Sequence, residues 1–281
     1  ELEVASSQIF LGNCSVEAID LLFRVFCSPG QDRCIICPPT YGMYKVSAGI
    51  NDVDIISVPL TPIFQPDFAA LEPLFDDPTA KLLFLCSPNN PTGILLQPDV
   101  LGPILAQFQG IVVVDEAYID FAPEGSALDL LKEYPNLVVL RTFSKARGLA
   151  GLRLGMALAN PAIIELMDRI KPPYNVNALT QEIALKELQS GDWKTKKAEL
   201  ILERKQLAER LTSLDGVEKV FPSDANFLLV RFREPARIFA ELKGQSTIVR
   251  DRTGQVENCL RITVGTPAEN KRLLTQLNSI L

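Results

Sequence analysis

Short apolar runs alternate with helical patterns through the first two-thirds of this 281-residue chain. Arg33 to Cys37, Val53 to Val58, Lys81 to Cys86, Ile111 to Val114, Leu137 to Leu140 and Leu154 to Ala159 read as buried strands. Helical spacing lies among them. Ile19, Leu22, Phe23 and Phe26 share one face of Cys14 to Phe26, and Gln97 to Gln107 falls between two strands. This alternation demands crossover connections. The expected fold is α/β, with a mostly parallel central sheet sandwiched by helices. In such sheets ligands lie at the carboxyl ends of the strands.

The pattern changes after Lys171-Pro172-Pro173, which reads as a linker between a large unit, 1–172, and a smaller α+β unit, 173–281. In the second unit Ala178 to Leu214 reads as one long charged helix. Val217 to Phe221, Asn226 to Phe232, Ser246 to Arg250 and Cys259 to Val264 read as strands, and Pro235 to Leu242 and Pro267 to Leu281 as helices. Hydrophobic residues make up 47% of the chain, enough for a substantial core. A net charge of −6 without a basic block argues against nucleic acid as a partner. No apolar run is long enough to span a bilayer, and a cytoplasmic location is expected. The chain opens at Glu1 and quickly enters Gln8-Ile9-Phe10-Leu11-Gly12, which looks like the inside of a domain, so a preceding segment is expected.

There is no histidine, which excludes Ser-His-Asp and Cys-His catalysis and leaves proton transfer to lysine, tyrosine or carboxylates. Cys34 and Cys37 have C-x-x-C spacing, but a zinc site needs two more ligands and no second pair exists. Buried strand cysteines, and no metal, are expected.

Three stretches carry chemistry. RTFSKARGLAGLRLG, residues 141–155, follows the apolar run ending at Leu140 and sets Ser144 and Lys145 in a glycine-rich loop, with Arg153 eight residues beyond the lysine. A lysine just past a buried strand needs a partner or a covalent use, and a Schiff base to an aldehyde cofactor is one such use. VVVDEAYIDF, residues 112–121, puts Asp115 directly after four apolar residues and Tyr118 three further on. A carboxylate there is desolvated and needs a cationic or N–H partner; the alternative is a cap to the next segment, with Tyr118 in the core. SPNNPTG, residues 87–93, follows KLLFLC. It has the composition of a strand-to-helix turn, and Asn90 would face a ligand.

Taken in order, these stretches resemble the fold-type I pyridoxal-phosphate aminotransferases. Within them the likeness is greatest to the histidinol-phosphate aminotransferases, through CPPTYGMY at 37–44, CSPNNPTG at 86–93, the two long motifs, and CLRITVGT at 259–266. The resemblance runs from about Ile9 to the C-terminus. It implies pyridoxal 5'-phosphate held by Lys145, which then shuttles the proton. It implies Asp115 on the ring nitrogen, Tyr118 and Asn90 on the ring oxygen, and Tyr41 against the ring face. Ser144, Arg153 and the backbone of Ser15 and Val16 would bind the cofactor phosphate, and Arg261 with Arg250 the substrate's anionic group. A surface ion pair, for example with Asp251, is the alternative for each of these two arginines. The implied reaction exchanges an amino group between L-histidinol phosphate and 2-oxoglutarate in a homodimer, in which a tyrosine from the partner subunit reaches the cofactor phosphate. No residue of this chain is assigned that role.

The chain departs from the family pattern at Cys14 (usually glycine), Val16 (usually aspartate) and Arg147 (usually aromatic). If position 14 needs a positive φ, cysteine adds strain. Arg147 could lower the lysine pKa or point to solvent. Rival readings are an aromatic amino-acid aminotransferase, a threonine-phosphate decarboxylase-like enzyme, and a non-catalytic binding homologue that keeps the fold.

Overall fold

The apolar alternation resolves into a seven-stranded sheet, described together with the rest of residues 2–281 by a computed structural model. In chain order its first half contains β1 (Ile9–Asn13), α1 (Cys14–Phe26), β2 (Arg33–Ile36), α2 (Met43–Ile50), β3 (Asp54–Ser57), the short α3 (Phe68–Leu71), β4 (Ala80–Cys86) and α4 (Pro98–Gln107). Then come β5 (Ile111–Asp115), β6 (Leu137–Thr142), β7 (Leu154–Ala159) and α5 (Pro161–Ile170). The strand order is β1-β7-β6-β5-β4-β2-β3. Strands β3, β2, β4, β5 and β6 pair in parallel, while β7 runs antiparallel to both β6 and β1. The sheet is therefore mostly parallel, and β1 points the same way as the parallel set.

Side chains alternate across this sheet with period two. Leu82, Phe84 and Cys86 of β4 join Phe10, Ile19, Leu22, Phe23 and Tyr44 in one core. Leu83 and Leu85 point to the other face, where Val112, Val114, Leu137 and Val139 meet Ile104 and Leu105 of α4. Each such side chain contributes about 1.5–3 kcal/mol when fully buried. Cys34 and Cys37 lie in these two cores, at 0% and 3% exposure, and all six cysteines are buried free thiols.

The remaining elements are α6 (Ala178–Ser190), α7 (Trp193–Thr212), β8 (Val217–Val220), β9 (Phe227–Phe232), α8 (Pro235–Gly244), β10 (Arg250–Asp251), β11 (Cys259–Thr263) and α9 (Pro267–Ile280). The four strands form an antiparallel sheet, β10-β11-β9-β8. Leu207 and Leu211 of α7, Ile238 and Leu242 of α8, and Leu273 and Leu277 of α9 pack on it.

Two expectations are corrected. The long helix from Ala178 to Leu214 is two helices, because Gly191 adopts a left-handed conformation (φ 69°) that closes α6. The strand expected over Ser246 to Arg250 shrinks to Arg250–Asp251, because the chain turns at Ser246 (φ 58°) on leaving α8. Strand β1 and helices α2, α3 and α5 were not anticipated as elements.

Candidate active site

The topology brings distant residues to one edge. Because β2, β4, β5 and β6 are parallel, the segments holding Tyr41, Asn90, Asp115 and Lys145 all leave the sheet at its carboxyl edge. β1 ends at that same edge and delivers the first turn of α1. β7 begins there, which places Arg153 beside that turn. The result is a cavity of about 270 Å³ lined by Ser15, Val16, Tyr41, Asn90, Asp115, Tyr118, Ser144, Lys145, Arg153, Arg250 and Arg261. Every residue named from the sequence for this site lies on its wall. So do Cys14, Cys86, Ala117, Thr142 and Arg252, which sequence reasoning did not assign.

Asp115 ends β5 and is 2% exposed. Its Oδ2 accepts a hydrogen bond from the Tyr44 hydroxyl at 2.8 Å and its Oδ1 one from the Ala117 N–H at 3.1 Å. Burial raises its pKa against the pull of the Tyr44 hydroxyl, the Ala117 N–H and Lys145. Tyr44 comes from α2, is fully buried, and stacks on Phe84 at 4.7 Å. Across the cavity, Lys145 Nζ lies 5.0 Å from the centroid of the Tyr118 ring. Burial and then Arg261 lower the lysine pKa. Burial pushes the Tyr118 hydroxyl up to about 12. Arg147 packs against aromatic rings. Its guanidinium carbon lies 4.2 Å from the Trp193 ring centroid and 5.1 Å from that of Phe143.

The first turn of α1 and Arg153 form one part of the cavity wall. The Asn13 side chain does not cap α1; its amide donates to the Asn175 carbonyl at 2.6 Å. The first-turn N–H groups at Ser15 and Val16 are left to the cavity, at a helix N-terminus. Cys14 has φ 60°, so the positive φ anticipated as a source of strain is present. Its N–H donates to the Arg153 carbonyl at 2.6 Å, and only glycine fits at 155, because a Cβ there would sit 2.3 Å from the Cys14 carbonyl carbon and the Ser15 nitrogen. Thr142, 8% exposed, accepts from the Ser144 N–H at 3.1 Å and holds that loop.

At the other end stand Arg250, Arg252 and Arg261. Arg261 Nη1 donates to Asn90 Oδ1 at 2.6 Å, which leaves the Asn90 NH₂ as the donor end of that amide. Asp251, the partner in the alternative surface ion pair, instead accepts from the Thr253 N–H at 2.9 Å and hydroxyl at 2.7 Å.

The model of the family "Aminotransferase class I and II" matches residues 1–277. The chain belongs to this family. The histidinol-phosphate aminotransferase of Cytophaga hutchinsonii is 52% identical over 98% of this chain and 80% of that protein. The one from Bacteroides fragilis is 48% identical over 98% and 80%. Among solved structures, the histidinol-phosphate aminotransferase of Sinorhizobium meliloti in complex with pyridoxal-5'-phosphate superposes with a TM-score of 0.91. It covers 99% of this chain and 78% of its own, at 22% identity, and so speaks for the fold. Aminotransferases of this family use pyridoxal 5'-phosphate, and the cavity fits that group. It offers a buried carboxylate without an ion-paired cation among the described residues, an amine of lowered proton affinity, and a helix start without a side-chain cap.

Proposed function

We propose that the protein transfers the amino group of L-histidinol phosphate to 2-oxoglutarate, giving imidazole-acetol phosphate and L-glutamate, the transamination of histidine biosynthesis. The observation that carries this reading is the union, in one cavity, of Lys145 and Asp115 with an anion cup at one end and a cluster of arginines at the other. The names of the relatives at 44–52% identity support the choice of donor.

When bound, pyridoxal phosphate supplies an electron sink for the pair released as the substrate Cα–H bond breaks. Asp115 would hold the ring nitrogen, with Tyr44 fixing its carboxylate. Lys145, already tilted toward its neutral form, would anchor the ring, take the Cα proton and return it one atom away. Tyr118 and Asn90 would hydrogen-bond the ring oxygen, and Tyr41 would cover a ring face. Ser15, Val16, Ser144 and Arg153 would hold the cofactor phosphate. Arg261 and Arg250 would orient the substrate anion.

The same reading assigns two domains, 1–172 and 173–281, and a cytoplasmic homodimer. An apolar recess of about 800 Å³, lined by Leu11, Met156, Val176, Leu185 and Leu188 among others, supports pairing with a second copy. No described helix is long and apolar enough to cross a membrane.

The test is the visible absorption of the holoenzyme on addition of L-histidinol phosphate. The long-wavelength band should give way to the shorter-wavelength amine form, and Lys145→Ala should make no such change. Clear preference for phenylalanine or aspartate, or release of carbon dioxide, would overturn the assignment.

A further inference from the structure

We propose that Arg252 is a third guanidinium of the substrate-anion site, and that it makes the site select a phosphate monoester over a carboxylate. This rests on the reading of the cavity as an aminotransferase site. Arg250 is the register partner of Arg261 across β10 and β11. Arg252 follows directly after β10, at the start of the turn that leads to β11. All three line the cavity. The position of Arg252 is fixed by its backbone: its N–H donates to the Cys259 carbonyl at 3.0 Å, and its carbonyl accepts from Gln255 and Val256, each at 2.8 Å.

Arg261 is held by Asn90 and by the Phe227 ring, 4.8 Å from its guanidinium carbon, yet donors of this cluster still lack acceptors. Arg252 Nη1 reaches only the adjacent Asp251 carbonyl, at 3.0 Å. Arg252 Nε and Arg261 Nε are buried with no hydrogen-bond acceptor. None of the three forms an ion pair with a carboxylate among the described residues. Buried guanidinium donors without acceptors are costly, and like charges brought together add to that cost. An anion with several oxygens removes both penalties. A carboxylate brings one charge and two oxygens, which a single arginine fork can satisfy. A phosphate monoester brings nearly two charges and three free oxygens, so only it leaves work for a third guanidinium.

The experiment compares both half-reactions in holoenzyme carrying Arg252→Gln. Single-turnover kcat/KM for L-histidinol phosphate should fall about 10- to 100-fold, as for loss of one charge-assisted hydrogen bond. The value for L-glutamate should stay within about threefold, and inhibition by inorganic phosphate should weaken about tenfold, with cofactor absorbance unchanged. Arg252→Lys keeps the charge but not the fork. It should lie between the two, and it gives the same comparison if the glutamine variant does not fold. Equal losses with both donors, or no loss with the phosphate donor, would overturn the role of Arg252 while leaving the reaction intact. A wild-type holoenzyme that ignores L-histidinol phosphate but accepts glutamate would overturn the substrate assignment itself, and this proposal with it.

Discussion

Asp115 sits where its own charge is least welcome. Its folded-state pKa lies above the ordinary carboxylate value, so between the two values the folded chain binds a proton that the unfolded chain has lost. Stability of the cofactor-free protein therefore falls as pH rises through that window, and the deficit is full above it. Asp115→Asn keeps the shape and removes the charge. Cofactor-free Asp115→Asn should melt a few degrees above wild type at pH 8, with the gap closing toward acid pH, while turnover drops about 100-fold or more. Calorimetry across pH checks the first claim and steady-state rates the second; a variant that melts lower than wild type at pH 8 would refute the first. Asp115 and Lys145 were legible in the sequence because a charged residue directly after an apolar strand demands an explanation. Tyr44 was not, because its partner lies 71 residues away and its hydroxyl is hidden in an aromatic stack. Arg252 was not singled out, because the turn after β10 that brings it to the cavity leaves no apolar pattern.

The first turn of α1 shows how far element boundaries can be read. Cys14 to Phe26 was expected as a helix and is one to the residue, since the apolar face sets both ends. The break at Gly191 was a readable stop signal, but the charged pattern on both sides hid it. β10 shrank because the Ser246 turn is set by backbone conformation rather than by apolar spacing. At Cys14 the backbone is left-handed, which costs a non-glycine residue about 1–2 kcal/mol. Cys14→Gly should raise stability by about 1 kcal/mol and leave cofactor affinity equal or tighter, because the N–H groups stay where they are. Urea denaturation and cofactor titration would check this. A loss of both stability and affinity would mean that the buried thiol matters more than the φ angle.

Across the molecule, the loops after β5 and β6 meet the first turn of α7 and strand β9 in a small apolar cluster of Tyr118, Phe121, Ala146, Trp193 and Phe227. Arg147 closes this seam by stacking on Trp193. Because Trp193 is the single tryptophan, its emission reports the seam directly. Arg147→Ala should shift that emission to the red and destabilise the fold by about 0.5–2 kcal/mol, the range for a cation–π contact. Unchanged emission with unchanged stability would show that the stack contributes nothing. The alternation of strands and helices made the α/β architecture readable from sequence, but this seam joins segments far apart in the chain and leaves no local pattern. One-sided chemistry has a further use. Within the seven-stranded sheet the cavity residues gather at one rim, and none comes from the turns at the opposite rim. The exposed turn at Ser28–Gln31, which feeds β2, is such a place. A reporter, a surface tether or a second enzyme grafted there would leave the working rim open to traffic.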